Sequence, residues 1–321
     1  MNTEINIGID QNNNKFSYDI KYMPHLLIAG NTGSGKSQLL HSLIMQLIGQ
    51  NTPDEIKFIM LDCNRVELMQ YQNIPYLYAP VQTESNVGKD LFEWLNYEQN
   101  LRHEEFNSHK VRGIGELNSK FGKMVMPRIV VIIDELATIM NIEPKAVEKE
   151  IIGAAQLSKY SGIHIILCTQ VISKNVITGL IKENIPSRIG LRTTTREDSE
   201  YIIDQPCAEK LKGKGDMLFI PPDTMKAAHL QGIYFSEKEI FKCVEKIKVE
   251  KPQYNEVLMY ALRKKEVTIP KELLEKAKNT IAREKKASTS LIQHELSIGY
   301  LEATRILDKL KEEVELSSSK R

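Results

Sequence analysis

Residues 30–37 read Gly30-Asn31-Thr32-Gly33-Ser34-Gly35-Lys36-Ser37 and fit the pattern G-x-x-x-x-G-K-[ST]. Glycines in such a loop allow a tight curl that points backbone N–H groups at a phosphate, and the following helix contributes the positive end of its dipole. An apolar run at 25–29 precedes the loop, and residues 38–48 carry apolar side chains at helical spacing. The sequence therefore predicts a phosphate-binding loop between a strand and a helix.

The residue types in this loop predict a site for ATP and Mg²⁺. Lys36 would reach the β- and γ-phosphates, and the hydroxyl of Ser37 would ligate the magnesium ion. The residues predicted to contact the nucleotide are Gly30, Asn31, Thr32, Gly33, Ser34, Gly35, Lys36, Ser37 and Gln38.

The composition is that of a globular protein with room for two domains. The chain has 321 residues, of which 41% are hydrophobic and 26% are charged. Its 43 Lys and Arg residues nearly balance its 42 Asp and Glu residues, which leaves a net charge of +1. Any contact with nucleic acid therefore has to come from locally placed cations.

Neither a disulfide framework nor a zinc ribbon is expected, because the four cysteines are widely spaced and form no CxxC pair. The N-terminus lacks the apolar run of a secretory signal. The longest apolar runs, at 129–133 and 163–168, are far shorter than the roughly 20 residues that a membrane span needs. We expect a cytoplasmic protein with free thiols and no membrane span of its own.

Short apolar runs alternate with longer amphipathic segments up to residue 245. They predict strands at 25–29, 56–61, 129–133 and 163–168, and helices at 38–48, 87–106 and 147–159. Because the apolar runs contain no alternating polar residues, they are typical of strands buried on both faces of a parallel sheet. The predicted fold class is α/β, with the RecA-like architecture of a P-loop NTPase and a mainly parallel sheet.

Two domains joined by a linker are predicted. Residues 1–248 form the ATPase domain, and residues 249–267 form the linker. Residues 268–316 contain three short amphipathic segments with a turn before the third, a pattern that indicates a small winged-helix or helix-turn-helix domain. The three segments are 271–283, 288–295 and 299–313. The tail at 317–321 is predicted to be disordered.

A second motif is the apolar strand that ends in Asp134 and Glu135. In a P-loop enzyme the Asp holds Mg²⁺ through water, and the Glu can polarise the attacking water. The predicted metal site therefore consists of Ser37 and Asp134. The acid pair favours ATP hydrolysis over nucleotide binding alone.

Thr169 and Gln170 follow the predicted strand at 163–168. A polar pair at a neighbouring strand end can sense the γ-phosphate and transmit its loss to adjacent loops, although the same pair can simply begin a loop. Asp62, at the end of the strand at 56–61, is likewise open between a site residue and a helix N-cap.

Several stretches resemble the FtsK/SpoIIIE family of DNA translocases, and together they are far more specific than a P-loop alone. The stretches that carry the resemblance are 23–30, 58–62, 67–68, 74–75, 162–164, 169–170, 176–188 and 213–218. The resemblance covers residues 20–240 and implies an ATP-driven motor on double-stranded DNA.

Residues 268–314 resemble the small C-terminal winged-helix domain of the same family. In the family this domain reads oriented sequences on the duplex and recruits or loads the motor. Leu301 and Glu302 stand where the family has Asn and Arg in the recognition helix. The same oriented sequence is therefore not expected to be read here.

The resemblance also implies DNA contacts on the loops at 171–200. Lys182 keeps a family cation and Arg196 replaces a Lys, whereas Glu200 stands where the family usually has Arg. Val171 likewise replaces the Arg that often follows Thr-Gln, so other cations would have to compensate. The cations predicted to bind DNA are Lys174, Lys182, Arg196, Lys285, Lys286 and Arg305.

A cation from a neighbouring subunit is expected to complete each nucleotide site. The family's candidate for this trans-acting finger aligns with Lys159, and a lysine lacks the bidentate fork of an arginine. Arg188 is the alternative, and the choice between the two is open.

Together these features predict an ATP-dependent translocase of double-stranded DNA that acts as a homo-hexameric ring in DNA segregation or transfer. A membrane-located or recombination partner protein is a further expected partner. One alternative is a conjugation, plasmid-mobilisation or viral DNA-packaging ATPase with the same engine. Another is an ATP-switched DNA-binding protein that does not translocate. A third is a protein-secretion ATPase, against which the DNA-type C-terminal domain argues.

Overall fold

The computed structural model describes residues 2–224, 226–262, 271–284 and 287–296, together with residues 298, 303, 306, 307, 309 and 310. The chain folds into two compact units, residues 1–258 and 259–321. Over the described residues, no helix combines the length and the apolar character needed to cross a lipid bilayer.

The first unit is built on one sheet flanked by helices. Its strands are β1 (Glu4–Ile9), β2 (Lys15–Asp19), β3 (His25–Ala29), β4 (Ile56–Leu61), β5 (Arg128–Ile133), β6 (Ile163–Thr169), β7 (Ser187–Leu191), β8 (Asp216–Ile220) and β9 (Ala228–Gln231). The helices along the chain are α1 (Lys36–Gln50), α2 (Val87–His109), α3 (Ile114–Phe121), α4 (Leu136–Met140), α5 (Pro144–Ser161), α6 (Gly179–Asn184), α7 (Arg196–Ile203), α8 (Glu237–Ile247), α9 (Glu256–Leu262), α10 (Lys271–Glu284) and α11 (Thr289–Leu296).

The strand order in the sheet is β2-β1-β9-β8-β7-β3-β6-β5-β4. Pairing is parallel from β4 through β5, β6 and β3 to β7. Pairing is antiparallel from β7 through β8, β9 and β1 to β2. The α/β class is confirmed, but the sheet is mixed because parallel pairing is confined to the half that carries the P-loop.

The parallel half is enclosed by helices on both faces. Every residue of β3, β5, β6 and β7 is buried. In β3, β5 and β6 this burial accompanies a mostly apolar run, whereas β7 contains Ser187, Arg188 and Gly190 and is not predicted from the sequence. Leu26 and Ile28 of β3 share an apolar cluster with Leu40 and Ile44 of α1. Helices α4 and α5 contact β6, and α2 packs along α5. The predicted strands and helices of this half are confirmed, and β3 and β4 match their predicted bounds.

The antiparallel half includes the hairpin β1–β2, which is not predicted from the sequence. Ile5 and Ile7 are buried, whereas Glu4 is exposed and Asn6 is half-buried. Apolar and polar residues therefore alternate over only a few positions. Asp10 closes the turn by accepting hydrogen bonds from the backbone N–H groups of Asn12 and Asn14, both at 2.8 Å. A strand with one solvated face has about half as many apolar residues as a strand buried on both faces. The Asn-rich turn adds more polar residues, so the hairpin as a whole has a weak apolar signal.

Two buried histidines lie near the amino ends of β3 and β6. His25 is 2% exposed; its Nε2 donates to the carbonyl of Ala155 at 3.0 Å, and its Nδ1 accepts from the N–H of Ile165 at 3.2 Å. Burial lowers the pKa of His25 to about 4, and burial together with the Arg128 charge lowers the pKa of His164 well below its ordinary value. Both imidazoles are therefore neutral in the folded protein near neutral pH.

Stability is expected to fall as the pH drops from 6.5 towards 4. The unfolded chain binds a proton at His25 near pH 6.5, whereas the folded protein resists it until about pH 4. A shift of this size corresponds to about 3 kcal/mol of folding free energy from this one side chain. Urea unfolding at several pH values measures the effect, and His25→Gln, which keeps a donor and an acceptor, should flatten the curve. Equal pH slopes for the parent and His25→Gln would contradict the assignment.

The second unit packs around a small apolar cluster. Its buried members are Ala277, Ile292, Ala303, Ile306, Leu307 and Leu310. Helices α10 and α11 agree with the first two predicted segments, and the last four cluster residues lie at helical spacing within the third. Most of that third segment, the turn before it and the tail at 317–321 lie outside the described residues.

The boundary between the units differs from the predicted one. The first unit extends to Leu258, and α9 lies inside the stretch predicted as a linker. Leu258 and Ala261 are buried, and the N–H of Asn255 donates to the carbonyl of Tyr78 at 2.8 Å. The segment between Pro252 and the basic run at 263–265 is too short for its apolar residues to predict a helix.

Candidate nucleotide-binding site

The carboxyl ends of β3, β4, β5, β6 and β7 meet at one edge of the sheet, where ligands of open α/β sheets bind. The P-loop leaves β3 and enters α1 at this edge. Gly33 and Gly35 have φ angles of 74° and 104°, which side-chain-bearing residues rarely adopt. A Cβ on Gly35 would also stand 2.2 Å from the backbone nitrogen of Gly215. The curl predicted for the loop therefore depends on glycine at these two positions.

A second loop supports the P-loop from the side. The N–H of Gly215 donates to the carbonyl of Ser34 at 2.8 Å, and the N–H of Gly232 donates to the carbonyl of Gly215 at 2.8 Å. The P-loop is thus fixed to the antiparallel half of the sheet as well as to β3.

A cavity of about 500 Å³ opens above the P-loop. It is lined by Asn31, Thr32, Gly33, Gly35, Lys36, Ser37, Gln38, Leu39, Glu67, Gln170, Lys214, Gly215, Gly232, Ile233 and Tyr234. Most of the predicted nucleotide-binding residues belong to this wall. Gly30 and Ser34 lie behind it, where a Cβ on Gly30 would stand 2.6 Å from that of Leu191.

Lys36 reaches the acid pair at the end of β5. The side chain is 6% exposed, and its Nζ donates to the carbonyl of Asp134 at 3.3 Å. The same nitrogen lies 3.6 Å from Oε2 of Glu135. Lys36 of the P-loop and the two consecutive acids after β5 therefore converge where a polyphosphate would lie.

Asp134 and Ser37 have the character of magnesium ligands. Asp134 is 2% exposed, and its Oδ1 accepts no hydrogen bond from any residue that the structure describes. Burial raises the pKa of Asp134 to about 6, against the opposing effect of the Lys36 charge. A divalent cation favours the charged form of such a carboxylate. The donor set of one carboxylate and one hydroxyl beside a phosphate loop fits Mg²⁺.

Glu67 also lines this cavity, although its role is not predicted from the sequence. Its Oε1 accepts the hydroxyl proton of Ser37 at 2.6 Å, and its Oε2 lies 3.3 Å from Nε2 of His41. The hydrogen bond with His41 is the main cause that lowers the pKa of Glu67, with a further contribution from Ser37 against the effect of burial. The only signal was its place in the family-like stretch after β4.

Glu135 is enclosed by polar partners from the end of β6. Its Oε1 accepts from the hydroxyl of Thr169 at 2.5 Å, and its Oε2 accepts from the N–H of Gln170 at 2.9 Å. The side-chain oxygen of Gln170 accepts from the hydroxyl of Thr32 at 2.6 Å. The structure thus brings together Glu135, Thr169 and Gln170 with the tip of the P-loop.

Asp62 has a structural role in this conformation. It is fully buried, and its Oδ2 accepts from the N–H of Leu68 at 2.8 Å. The bond closes the loop at 62–68, which brings Glu67 back towards Ser37. Asp62 therefore shapes the loop that carries a site residue, and it caps no helix.

Arg188, one of the two candidates for the trans-acting finger, is a buried side chain that pairs with the half-exposed Asp204. Its side chain is 9% exposed; one nitrogen lies 2.6 Å from Oδ2 of Asp204, and another donates to the carbonyl of Ile202 at 3.0 Å. Arg188 also lies near the start of β7, whereas the P-loop edge is at its end. In this conformation its guanidinium is held within its own subunit, and its role as a finger stays a prediction. The side chain of Lys159 is not among those that the structure describes.

The predicted DNA-binding cations of the first unit differ in exposure. Lys182 is 18% exposed, and its Nζ donates to the carbonyl of Tyr201 at 2.6 Å and to Asp204 at 2.8 Å. Arg196 pairs with Glu200 at 2.7 Å on the surface of α7, and Lys174 is exposed on the loop after β6. Lys182 is therefore satisfied within the protein, whereas Arg196 and Lys174 face solvent. Lys285, Lys286 and Arg305 lie outside the described residues.

Two family models match the chain. Residues 1–174 match the FtsK/SpoIIIE family, and residues 270–321 match the Ftsk gamma domain. The first match lies within the first unit and the second within the second unit, and both agree with the resemblances seen in the sequence.

Curated relatives match nearly the whole chain. A DNA translocase FtsK from Caldanaerobacter subterraneus is 40% identical over 311 residues, which is 96% of this chain and 44% of that protein. A DNA translocase FtsK from Clostridium acetobutylicum is 40% identical over 97% of this chain and 42% of its own length. DNA translocase SftA from Bacillus subtilis is 38% identical over 98% of this chain and 34% of its own length. The chain thus spans less than half the length of these relatives.

Solved structures share the fold. The monomer form of the pCW3 conjugation coupling protein TcpA with ATPγS is 30% identical, with a TM-score of 0.66 over 77% of this chain and 70% of that one. The cytoplasmic domain of the type VII secretion ATPase EccC from Thermomonospora curvata has a TM-score of 0.68 over 79% of this chain and 32% of that one, at 20% identity. These structures show the shared fold, and the family model with the curated relatives leads to one conclusion: the chain belongs to the FtsK/SpoIIIE family.

Proposed function

We propose that this chain is the motor of an ATP-dependent translocase of double-stranded DNA. The observation that carries the proposal is the convergence of Lys36, Asp134 and Glu135 above a P-loop, in a chain whose curated relatives are named DNA translocases. The first part of the proposal is ATP hydrolysis, and the second is its coupling to movement along DNA.

Each site residue has a distinct task in hydrolysis. The backbone of the P-loop and Lys36 bind and orient the phosphates. Ser37 and Asp134 are the residues that would hold Mg²⁺, which when bound neutralises charge on the phosphates. Glu135 accepts a proton from the attacking water, so that the water oxygen can attack the γ-phosphorus.

Hydrolysis is coupled to the neighbouring loop through Gln170. Its side chain contacts the P-loop at Thr32, its N–H contacts Glu135, and the hydroxyl of Thr169 accepts from the N–H of Val171 at 3.1 Å. Loss of the γ-phosphate changes the charge next to these bonds. The loop that begins at Val171 can therefore move in response to the state of the nucleotide.

Exposed cations on the loops at this sheet edge are proposed to contact the DNA backbone. Lys174 follows β6, Arg192 follows β7, and Arg196 begins α7, and all three are exposed. The carbonyl of Arg192 accepts from the N–H of Asn31 at 3.0 Å, so the loop after β7 is hydrogen-bonded to the P-loop. Contacts to phosphates carry no sequence information, which suits a motor that moves over any sequence.

A cytoplasmic homo-hexameric ring is the proposed assembly. In a head-to-tail ring each nucleotide site can be completed by a cation of the neighbouring subunit. The C-terminal unit is proposed to bind duplex DNA, and a membrane-located or recombination protein is the proposed further partner.

A second candidate function is transfer of DNA during conjugation. The likeness to the conjugation coupling protein TcpA at 30% identity favours it. Both candidates use the same ATPase engine, so they differ in the partner that recruits the motor and not in the chemistry of the site.

The rate of ATP hydrolysis as a function of duplex length tests the proposal. A translocase is expected to hydrolyse faster on longer duplexes, because it spends more time moving between ends. The parent should be stimulated by DNA and should reach a plateau with length. Hydrolysis that is independent of DNA length would favour an ATP-switched DNA-binding protein instead.

Glu200→Arg is expected to strengthen DNA binding if α7 lies along the duplex. The substitution adds a cation beside Arg196 and removes its acidic partner, so each new phosphate contact should steepen the salt dependence by about one unit of log–log slope. Salt-titrated binding to a labelled duplex measures this slope. Glu250→Arg, which makes the same charge change at another exposed position, is the matched control.

If Arg196 and Glu200 form only a surface ion pair, the same variant should give a different result. An exposed i, i+4 ion pair stabilises a helix by only about 0.2–0.5 kcal/mol, so its loss alone would leave DNA binding unchanged. Equal affinities and slopes for Glu200→Arg and Glu250→Arg would place the DNA path away from α7.

A further inference from the structure

We propose that Glu67 is a positioning residue of the magnesium site, which fixes the hydroxyl proton of Ser37 so that the oxygen offers its lone pairs to the metal. This inference rests on the proposed function, because that function places Mg²⁺ at Ser37. It adds a residue that lies outside the P-loop and the β5 acid pair.

The argument begins with the donor and acceptor capacity of a serine. Its hydroxyl carries one proton and two lone pairs. To ligate a cation, the oxygen of Ser37 has to present a lone pair, so its proton has to point elsewhere. Glu67 accepts that proton at 2.6 Å, the short distance of a charge-assisted hydrogen bond. The orientation that ligation requires is therefore already present.

Glu67 is in turn held by a buried chain of side chains. His41 is 4% exposed; its Nδ1 lies 2.9 Å from the hydroxyl of Tyr71, and its Nε2 lies 3.3 Å from Oε2 of Glu67. In the tautomer in which Nδ1 accepts from Tyr71, Nε2 carries the proton and can donate to the carboxylate; the side-chain amide of Gln70 lies 3.3 Å from the same nitrogen. The chain Tyr71–His41–Glu67–Ser37 has the form of the outer partners that orient metal ligands.

The backbone brings Glu67 to this place through the loop at 62–68. Asp62 accepts from the N–H of Leu68, and the N–H of Arg65 donates to the carbonyl of Asp62 at 3.1 Å. Glu67 then lines the nucleotide cavity with a side chain that is 28% exposed.

The test is the Mg²⁺ dependence of nucleotide binding, measured on the full chain with a fluorescent non-hydrolysable ATP analogue. In Glu67→Ala the Mg²⁺ concentration that gives half of the gain in affinity should rise about 10-fold, as for other outer partners of metal ligands. Affinity for the analogue in EDTA should remain that of the parent. Glu67→Gln, which accepts the proton without a charge, should lie between the two.

Two controls separate positioning from packing. Glu84→Gln removes an exposed carboxylate that pairs with Arg65 near the same loop, and it should leave the Mg²⁺ dependence unchanged. In a Ser37→Ala background, Glu67→Ala should cause no further shift, because Glu67 acts through that hydroxyl. If Glu67→Ala does not fold, Glu67→Gln carries the same comparison.

Three outcomes would overturn the inference. They are a parental Mg²⁺ dependence in both Glu67 variants, an equal loss of affinity in EDTA and in Mg²⁺, and additive shifts in the Ser37→Ala background. A parent that shows no Mg²⁺-dependent nucleotide binding would instead overturn the proposed function itself.

Discussion

Lys36→Ala is expected to lower the rate of ATP hydrolysis by about two to three orders of magnitude, the effect of removing a preorganised donor to developing charge. Lys36 is nearly buried between the carbonyl of Asp134 and the carboxylate of Glu135, so its charge is fixed where phosphate oxygens would lie. Release of inorganic phosphate with and without duplex DNA measures the loss.

Lys149→Ala is the matched control for this variant. Lys149 lies on the solvent face of α5 with 82% exposure, so removing its charge should change neither hydrolysis nor folding. Lys36→Ala should remain folded, and its thermal unfolding midpoint checks this. Hydrolysis at the parental rate by a folded Lys36→Ala would show that the P-loop is not the catalytic site.

Glu135→Gln is expected to retain nucleotide binding and to reduce hydrolysis by about 10²–10⁴-fold, the usual contribution of a positioned general base. The amide oxygen can still accept from the hydroxyl of Thr169, whereas the amide nitrogen cannot replace the oxygen that accepts from the N–H of Gln170, and the side chain cannot take a proton from water. Equilibrium binding of ATP and single-turnover hydrolysis separate the two effects.

Glu143→Gln, at an exposed carboxylate that precedes α5, provides the comparison for Glu135→Gln. It should match the parent in both assays. If Glu135→Gln also hydrolysed ATP at the parental rate, another group would have to activate the water.

The parallel half of the fold could be predicted because its strands are buried on both faces. Such strands are continuous apolar runs, and β3, β4, β5 and β6 are all visible as runs in the sequence. The hairpin β1–β2 has one solvated face, so Ile5 and Ile7 alternate with polar residues and give a weak signal. Parallel and antiparallel pairing also depend on chain reversals that apolar runs do not encode.

The chemistry of the site could be predicted where it depends on strand ends. Asp134, Glu135 and Gln170 follow buried strands and Thr169 ends one, and parallel strands bring such residues to one edge. Glu67 could not be assigned in this way, because the fold of its loop depends on the hydrogen bonds that Asp62 accepts from the N–H groups of Leu68 and Arg65.

Ion pairs between distant segments had no signal in the sequence. Asp204 pairs with both Arg188 and Lys182, and it lies at the end of α7 with a left-handed φ of 56°. Side-chain spacing predicts partners within one helix, such as Arg196 and Glu200, but not partners that the tertiary fold brings together.

Displacement of a third strand from duplex DNA tests most directly whether this chain is an ATP-driven translocase. The substrate is a long duplex with a labelled triplex-forming strand at one end. The parent is expected to release that strand only when ATP and Mg²⁺ are present, and Lys36→Ala and Glu135→Gln are expected to release none. DNA-stimulated ATP hydrolysis by the parent without any release of the third strand would contradict translocation.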